Sequence, residues 1–227
     1  MRRVCRWTIY SVGMVVLALG ITLNTKAGLG VSPVVSVAYS LSQIFGLDFG
    51  NMTFVAYSMF VAAQFLVRGR GSRVIDLLQL PLSLVFSWVL SVLGRAVTYD
   101  CTAYGVGADL AVLLGGVVLT GTGIVLTLNM RLIPNPGDGI IQAVEDRTGW
   151  SQGFSKNVCD ISCVCITLML GLVLHGRVIG IGLGTVVAMV ATGRVVALLN
   201  RLFKEKMCRA AGVAQGVNGN VLSSSGR

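Results

Sequence analysis

Ile133-Pro134-Asn135-Pro136-Gly137-Asp138-Gly139, which leads into a short stretch ending at Arg147, decides how this chain is read. A related stretch precedes it: Gly28-Leu29-Gly30-Val31-Ser32-Pro33, leading to Phe45. Each opens with glycine and proline and continues as a helix of about three turns. Ser32 and Asn135 suit the N-cap, because their side-chain oxygens can accept from free backbone N–H groups. Pro33 and Pro136 suit the first helical position, where a missing N–H costs nothing. Asp138 falls in the first turn, where the helix dipole favours negative charge. Gly46 and Gly149 suit the C-terminal stop. Helices this short are re-entrant or interfacial rather than spanning.

Working outward, the rest of the chain repeats as well. Leu23-Asn24 returns as Leu128-Asn129, Ser32-Pro33 as Asn135-Pro136, and Gly46 and Gly50 as Gly149 and Gly153. Arg73-Val74-Ile75 returns as Arg177-Val178-Ile179, and all the spacings are 103 to 105 residues. Duplication with paired, Gly/Pro-interrupted short segments is the sequence pattern of a transporter-like architecture with sites between the halves.

The chain has 227 residues, 54% hydrophobic and 12% charged, which is too few charges to cover a soluble surface. Apolar runs over 7–27, 52–67, 74–93, 109–130, 157–174 and 178–199 are candidate spans. The second is short, so it stands upright or extends past those ends. The runs are continuous rather than alternating, which excludes β-barrel strands. The start, Met1-Arg2-Arg3-Val4-Cys5-Arg6, has the charge of a signal peptide but no convincing cleavage site follows, so the first run reads as a retained helix.

The net charge is +9. The bases sit at the ends of apolar runs, with no basic domain interleaved with aromatics, so nucleic acid is not the partner. With both termini cytoplasmic, 15 of the 18 basic residues face the cytoplasm, leaving Lys26, Arg95 and Arg177 outside. Letting both short segments cross makes eight spans and lowers that figure to 12. Six spans is the better account. Each half is then span, short helix, span, span, and an odd number of spans inverts the second half.

The expected fold is an all-α polytopic membrane protein: six transmembrane helices as a 3+3 inverted repeat with two short re-entrant or interfacial helices. The repeats are 1–105, with its short helix at 33–45, and 106–203, with its short helix at 136–147. Residues 204–227 read as a disordered cytoplasmic tail rich in Gly, Ser and Asn. Ser83, Ser87 and Ser91, and likewise Gly184, Ala188 and Thr192, form small-residue faces for helix packing. Pro81 is expected to kink the third span. Cys159, Cys163 and Cys165 have no metal-site spacing and read as packing residues.

Ala27-Gly28-Leu29-Gly30-Val31-Ser32-Pro33, Pro134-Asn135-Pro136-Gly137-Asp138 and Gly180-Ile181-Gly182-Leu183-Gly184-Thr185 resemble the YczE/YyaS/YitT family of bacterial integral membrane proteins over roughly residues 7 to 203. The resemblance implies a polytopic protein of the bacterial plasma membrane. It brings no agreed substrate, cofactor or catalytic residue.

The expected substrate-binding residues are Asn24, Gly30, Ser32, Asn129, Asn135, Gly137 and Asp138. A re-entrant Asn135 start would turn N–H groups and a helix dipole inward, as for anionic groups, whereas Asp138 would take a cation or proton. A well-capped interfacial loop is the plainer alternative. Asn24 and Asn129 end equivalent spans and would face each other or meet interfacial water. Asp160 and Asp76 are the candidates for ion or proton coupling, against local pairing with Lys156 and Arg73. Gln64 and Gln79 are expected to hydrogen-bond neighbouring helices. His175 lies in an outer turn. Gly180-x-Gly182-x-Gly184 follows no strand and reads as tight packing, not a dinucleotide site. No P-loop, nucleophile elbow, metal set or carboxylate pair suggests an enzyme, and no cofactor is expected.

The function these features imply is a small-solute transporter with its site at the repeat interface. The alternative is a non-transporting accessory membrane protein that assembles or stabilises a partner complex. The expected partners are the lipid bilayer and a small solute of unidentified chemistry, with a homodimer left open.

Overall fold

The structure is a computed structural model that describes residues 2–71 and 74–211. Its helices are α1 (Arg2–Lys26), α2 (Pro33–Phe45), α3 (Phe49–Arg68), α4 (Gln79–Ala96), the short α5 (Cys101–Tyr104), α6 (Val106–Asn129), α7 (Pro136–Thr148), α8 (Gln152–His175) and α9 (Leu183–Ala211). Among the described residues six segments are long and apolar enough to cross a membrane: Cys5–Lys26, Phe49–Arg68, Asp76–Ala96, Val106–Asn129, Gln152–His175 and Leu183–Lys204. Their outward faces carry large apolar side chains such as Leu66, Trp88, Val173 and Leu183, which suits lipid contact.

Several boundaries differ from the expected ones for identifiable reasons. The short second run does extend, to Phe49–Arg68, because Asp48 caps it and accepts from Asn51 N at 3.1 Å. Ser151 caps α8, so that helix opens five residues before 157 and takes in Lys156. The last span begins at Leu183 rather than 178, because Gly180 holds φ +76 and the residues before Leu183 lie outside the helix. Pro81 kinks no continuous span: it lies in the first turn of α4, just after a 3-10 turn at Val74–Leu78. Residues 204–211 are not tail but the end of α9, where Lys, Glu, Met and Ala are good helix formers. The rest of the expected tail, 212–227, lies outside the described residues, as does Arg73.

Both short helices start and stop as their sequences dictate. Pro33 and Pro136 open them, and Gly46 (φ +64) and Gly149 (φ +72) close them in the left-handed region. The caps differ. Asn135 accepts from Gly137 N at 3.1 Å, whereas the Ser32 side chain makes no cap hydrogen bond, and Ser32 lines a central cavity.

The helices pack in a pattern that places both short helices inside the bundle. α1 lies along α6; α4 packs on α1 and α9 on α6; α2 packs on α8 and α7 on α3. α3 also packs along α4, whereas among the described residues α8 and α9 at most graze. The Arg6 side chain donates to the carbonyls of Met130 (2.6 Å) and Arg131 (2.8 Å), and Tyr10 donates to Ile133 O (2.8 Å). The chain after α6 therefore runs inward along α1. It reaches Asn135 beside Met14 and Leu17, near the middle of α1. α7 then returns to the end it came from, where Asp146 meets Arg68 at 3.0 Å. The loop before α2 likewise runs inward, clasped by Val31 N to Gly180 O (3.0 Å) and Gly184 N to Leu29 O (2.8 Å). α2 then turns back.

Polar groups lock these positions. Gln64 and Gln79 exchange amide hydrogen bonds, both 3.0 Å, and Gln64 Nε2 also reaches Pro136 O at 3.2 Å. That meets the expectation of interhelical bonding and extends it to the start of α7. The serine face of α4 is a packing face: Ser87 donates to Gly50 O at 2.5 Å and Ser91 to Asp48. Burial alone would raise the Asp48 carboxyl, but bonds from Ser91, Asn51 and Gly50 and the charge of Arg95 hold it below the usual carboxylate range. Asp48→Ala should cost about 1 kcal/mol, the typical worth of an N-cap, while Asp48→Asn keeps most of it. Thermal unfolding of the purified protein in detergent checks this, and equal losses for both variants would count against a capping role.

Candidate functional site

A cavity of about 80 Å³ lies where the two short helices begin. One ordered water needs about 10–15 Å³, so this space holds a few waters or a small solute. Its wall combines Leu17 and Ile21 of α1, Ser32 to Val35 at the start of α2, Tyr57 of α3 and Thr120 and Ile124 of α6. Asn135, Gly137, Asp138 and Ile141 from the start of α7, Lys156 and Asp160 of α8, and Ala188, Met189 and Thr192 of α9 complete it. The two starts are in contact: a Cβ placed on Gly137 would stand 2.7 Å from Val34 Cγ1. Both helix N-termini therefore turn their positive dipole ends to one space.

The charged groups belong to the second half of the chain. Lys156 forms an ion pair with Asp160, one helical turn on, and Asp160 is fully buried. Asp138 lies within electrostatic range of both. Asp160 Oδ1 and Thr192 Oγ1 are buried with no hydrogen-bond partner. Buried polar atoms left open in this way are uncommon and call for a ligand or water. The Tyr57 hydroxyl lies against the Asn135 side chain.

Of the residues expected to bind substrate, the structure brings Ser32, Asn135, Gly137 and Asp138 together, with Asp160 beside them. It does not bring in the others. Asn24 and Asn129 do not face each other: Asn24 donates to Thr120 Oγ1 at 3.3 Å, and Asn129 donates to Asn200 Oδ1 at 2.8 Å. Gly30 has a packing role, since its φ is +109 and a Cβ there would lie 2.7 Å from Gly182 N and from Thr185 Oγ1. Asp76 pairs with Arg68 at 2.5 Å and does not line the cavity.

Residues missed by the sequence reading are Tyr57, Thr120 and Thr192, with Lys156 seen only as a pairing partner. Thr192 stood out as part of a small-residue face, but that pattern speaks only of packing. Ser151 as an N-cap would have brought Lys156 into α8 beside Asp160, which the expected span already held, and a charged pair inside a span signals a functional interior.

A multi-pass bundle of long apolar helices, with two half-length helices meeting at a cavity that holds three charged side chains in a largely apolar wall, defines an integral membrane protein. A family model described as "Family of unknown function (DUF6198)" matches residues 4–201, and the chain belongs to that family. It is similar to the "Uncharacterized membrane protein YczE" of Bacillus subtilis (strain 168), 28% identical over 192 residues, covering 84% of this chain and 83% of that protein. No solved structure matches.

Proposed function

We propose that this protein is a small-solute transporter of the bacterial plasma membrane, with the substrate bound in the central cavity. The observation that carries the reading is the convergence of two short-helix N-termini on a cavity holding Asp138, Lys156 and Asp160. Broken helices whose ends meet near the bilayer midplane are how many transporters build a solute site. At 13 residues each, α2 and α7 extend about 20 Å, enough to reach the middle of the bundle and return.

A 3+3 inverted repeat would supply the motion, one half rocking against the other. The exchange of partners supports it: α1 with α4 answers α6 with α9, and α2 with α8 answers α7 with α3. The basic end, with Arg6, Arg68 and Arg147, would face the cytoplasm, and both termini would then lie on that side.

Reconstitution into vesicles and flux measurement with a panel of small ionic and zwitterionic solutes tests this. Flux is expected for at least one class, with Asp138→Asn lowering it roughly tenfold or more, the scale of one charged hydrogen bond. No flux and no binding across the panel would sink the proposal. Flux unchanged in Asp138→Asn would move the site elsewhere.

A further inference from the structure

We infer that the cavity contains a site for one monovalent cation, a proton or an alkali ion, formed by the open oxygen of Asp160 with Thr192 and balanced by Asp138. The inference deepens the transport reading, because it gives that cavity a coupling ion. Three observations carry it. First, the charges do not balance. Asp138 and Asp160 face one ammonium, Lys156, and among the described residues no other charged side chain lines the cavity. Among the side chains one negative charge is left over, set against the partial positive ends of α2 and α7, in an interior where unpaired charge is costly.

Second, the open valences are on oxygen. Lys156 engages Asp160 through Oδ2 and leaves Oδ1 without a donor, while Thr192 Oγ1 is also unpartnered. Asp160 is fully buried and Thr192 only 7% exposed, so bulk water does not meet these atoms. A carboxylate oxygen in that position needs a proton or a positive ion rather than another acceptor. Third, the space is right. About 80 Å³ next to these atoms accommodates an ion together with a few waters.

The other side chains around the cluster are uncharged. They are the hydroxyls of Ser32 (α2), Tyr57 (α3) and Thr120 (α6), the Asn135 amide (α7), and the buried thiols Cys159 and Cys163 on α8 itself. Hydroxyls and an amide carbonyl complete the coordination of a hard monovalent ion. Among the described residues no three Cys, His, Asp or Glu side chains gather as a multivalent metal would require.

The test is at equilibrium on the whole protein in lipid nanodiscs, so it is independent of whether any solute is carried. Thermal unfolding is followed while Na⁺, K⁺ or Li⁺ replaces choline at constant ionic strength. In parallel, infrared spectra across pH read the carbonyl band of protonated carboxyl groups. A saturable rise in unfolding temperature with one alkali ion assigns the site to that ion. No alkali effect, with a carboxylic acid band that titrates and disappears in Asp160→Asn or Asp138→Asn, assigns it to a proton. In the alkali case Thr192→Val weakens apparent affinity roughly tenfold, a readout that survives if Asp160→Asn fails to fold. Asp76→Asn leaves both signals unchanged. Absence of both the alkali effect and the titrating band overturns the inference. If the cation signal is present but no solute flux is found, the transport reading fails while the site stands.

Discussion

Gly123→Ala should destabilise the bundle by about 3 kcal/mol, a large effect for one added methyl group. A Cβ at Gly123 would lie 2.5 Å from Leu17 N and 2.6 Å from Leu17 Cα, both backbone atoms of α1. Rotating a side chain cannot relieve that contact, so one helix has to move. Its counterpart behaves alike: a Cβ at Gly20 would stand 2.4 Å from Thr120 N and 2.8 Å from Gly116 O. Gly13 and Gly20 on α1 lie against Thr127 and Thr120 of α6, and Gly116 and Gly123 on α6 lie against Asn24 and Leu17 of α1, so each helix brings glycines seven residues apart to the seam. In lipid there is no hydrophobic drive between helices, and close backbone approach supplies the packing instead. Gly115 is the control, since a Cβ there meets nothing within 4 Å. Gly115→Ala should leave the unfolding temperature unchanged or raise it slightly, because alanine favours helix. Similar midpoints for the two variants would show that α1 and α6 are not held this tightly. Because Thr120 lines the cavity, Gly20→Ala should also distort the site, read as lost flux or lost cation response.

That seam shows where the sequence was legible and where it was not. Single elements were written plainly. Pro136, Asn135 and Gly149 state the beginning and end of α7 by local chemistry, and the structure follows them. Long apolar runs state the spans, because hydrocarbon has no other use for them. Pairings between distant segments were not stated. Gly13 and Gly123 are unremarkable in a chain with 29 glycines until α1 is laid against α6. Asn24 and Asn129 illustrate the opposite error. Their equivalent places in the duplication suggested that they meet, yet each found a nearer partner, Thr120 and Asn200. Equivalence under a repeat does not imply contact. The cavity was half legible. Residues at the starts of α2 and α7 were visible because glycine and proline mark them, whereas Thr120, Thr192 and Tyr57 sit inside spans where spacing signals only packing.

Lys156→Met should cost about 3 kcal/mol and Asp160→Asn about 1 kcal/mol, with the double variant close to the milder of the two. The asymmetry follows from burial. The Asp160 side chain is 1% exposed and that of Lys156 is 35% exposed. Without Lys156 a charged carboxylate stays inside with no counter-ion, which is the costly half of breaking a buried pair. Without the Asp160 charge, the lysine can extend its ammonium toward water along its flexible stem. In the double variant no charge is stranded at either position, so the losses do not add. Unfolding midpoints of the three variants in nanodiscs give the cycle, and additive losses would mean that the pair contributes no coupling. The cycle also bears on the inferred ion. Removing the ammonium leaves the carboxylate of Asp160 more open to an added cation, so a saturating alkali ion should recover part of the Lys156→Met loss if such an ion is the natural occupant. It should recover none of the loss in Asp160→Asn, where the charge that would hold it is gone. Recovery of equal size in both would place the ion on Asp138 instead, and with it the charge that the first turn of α7 brings to the centre of the bundle.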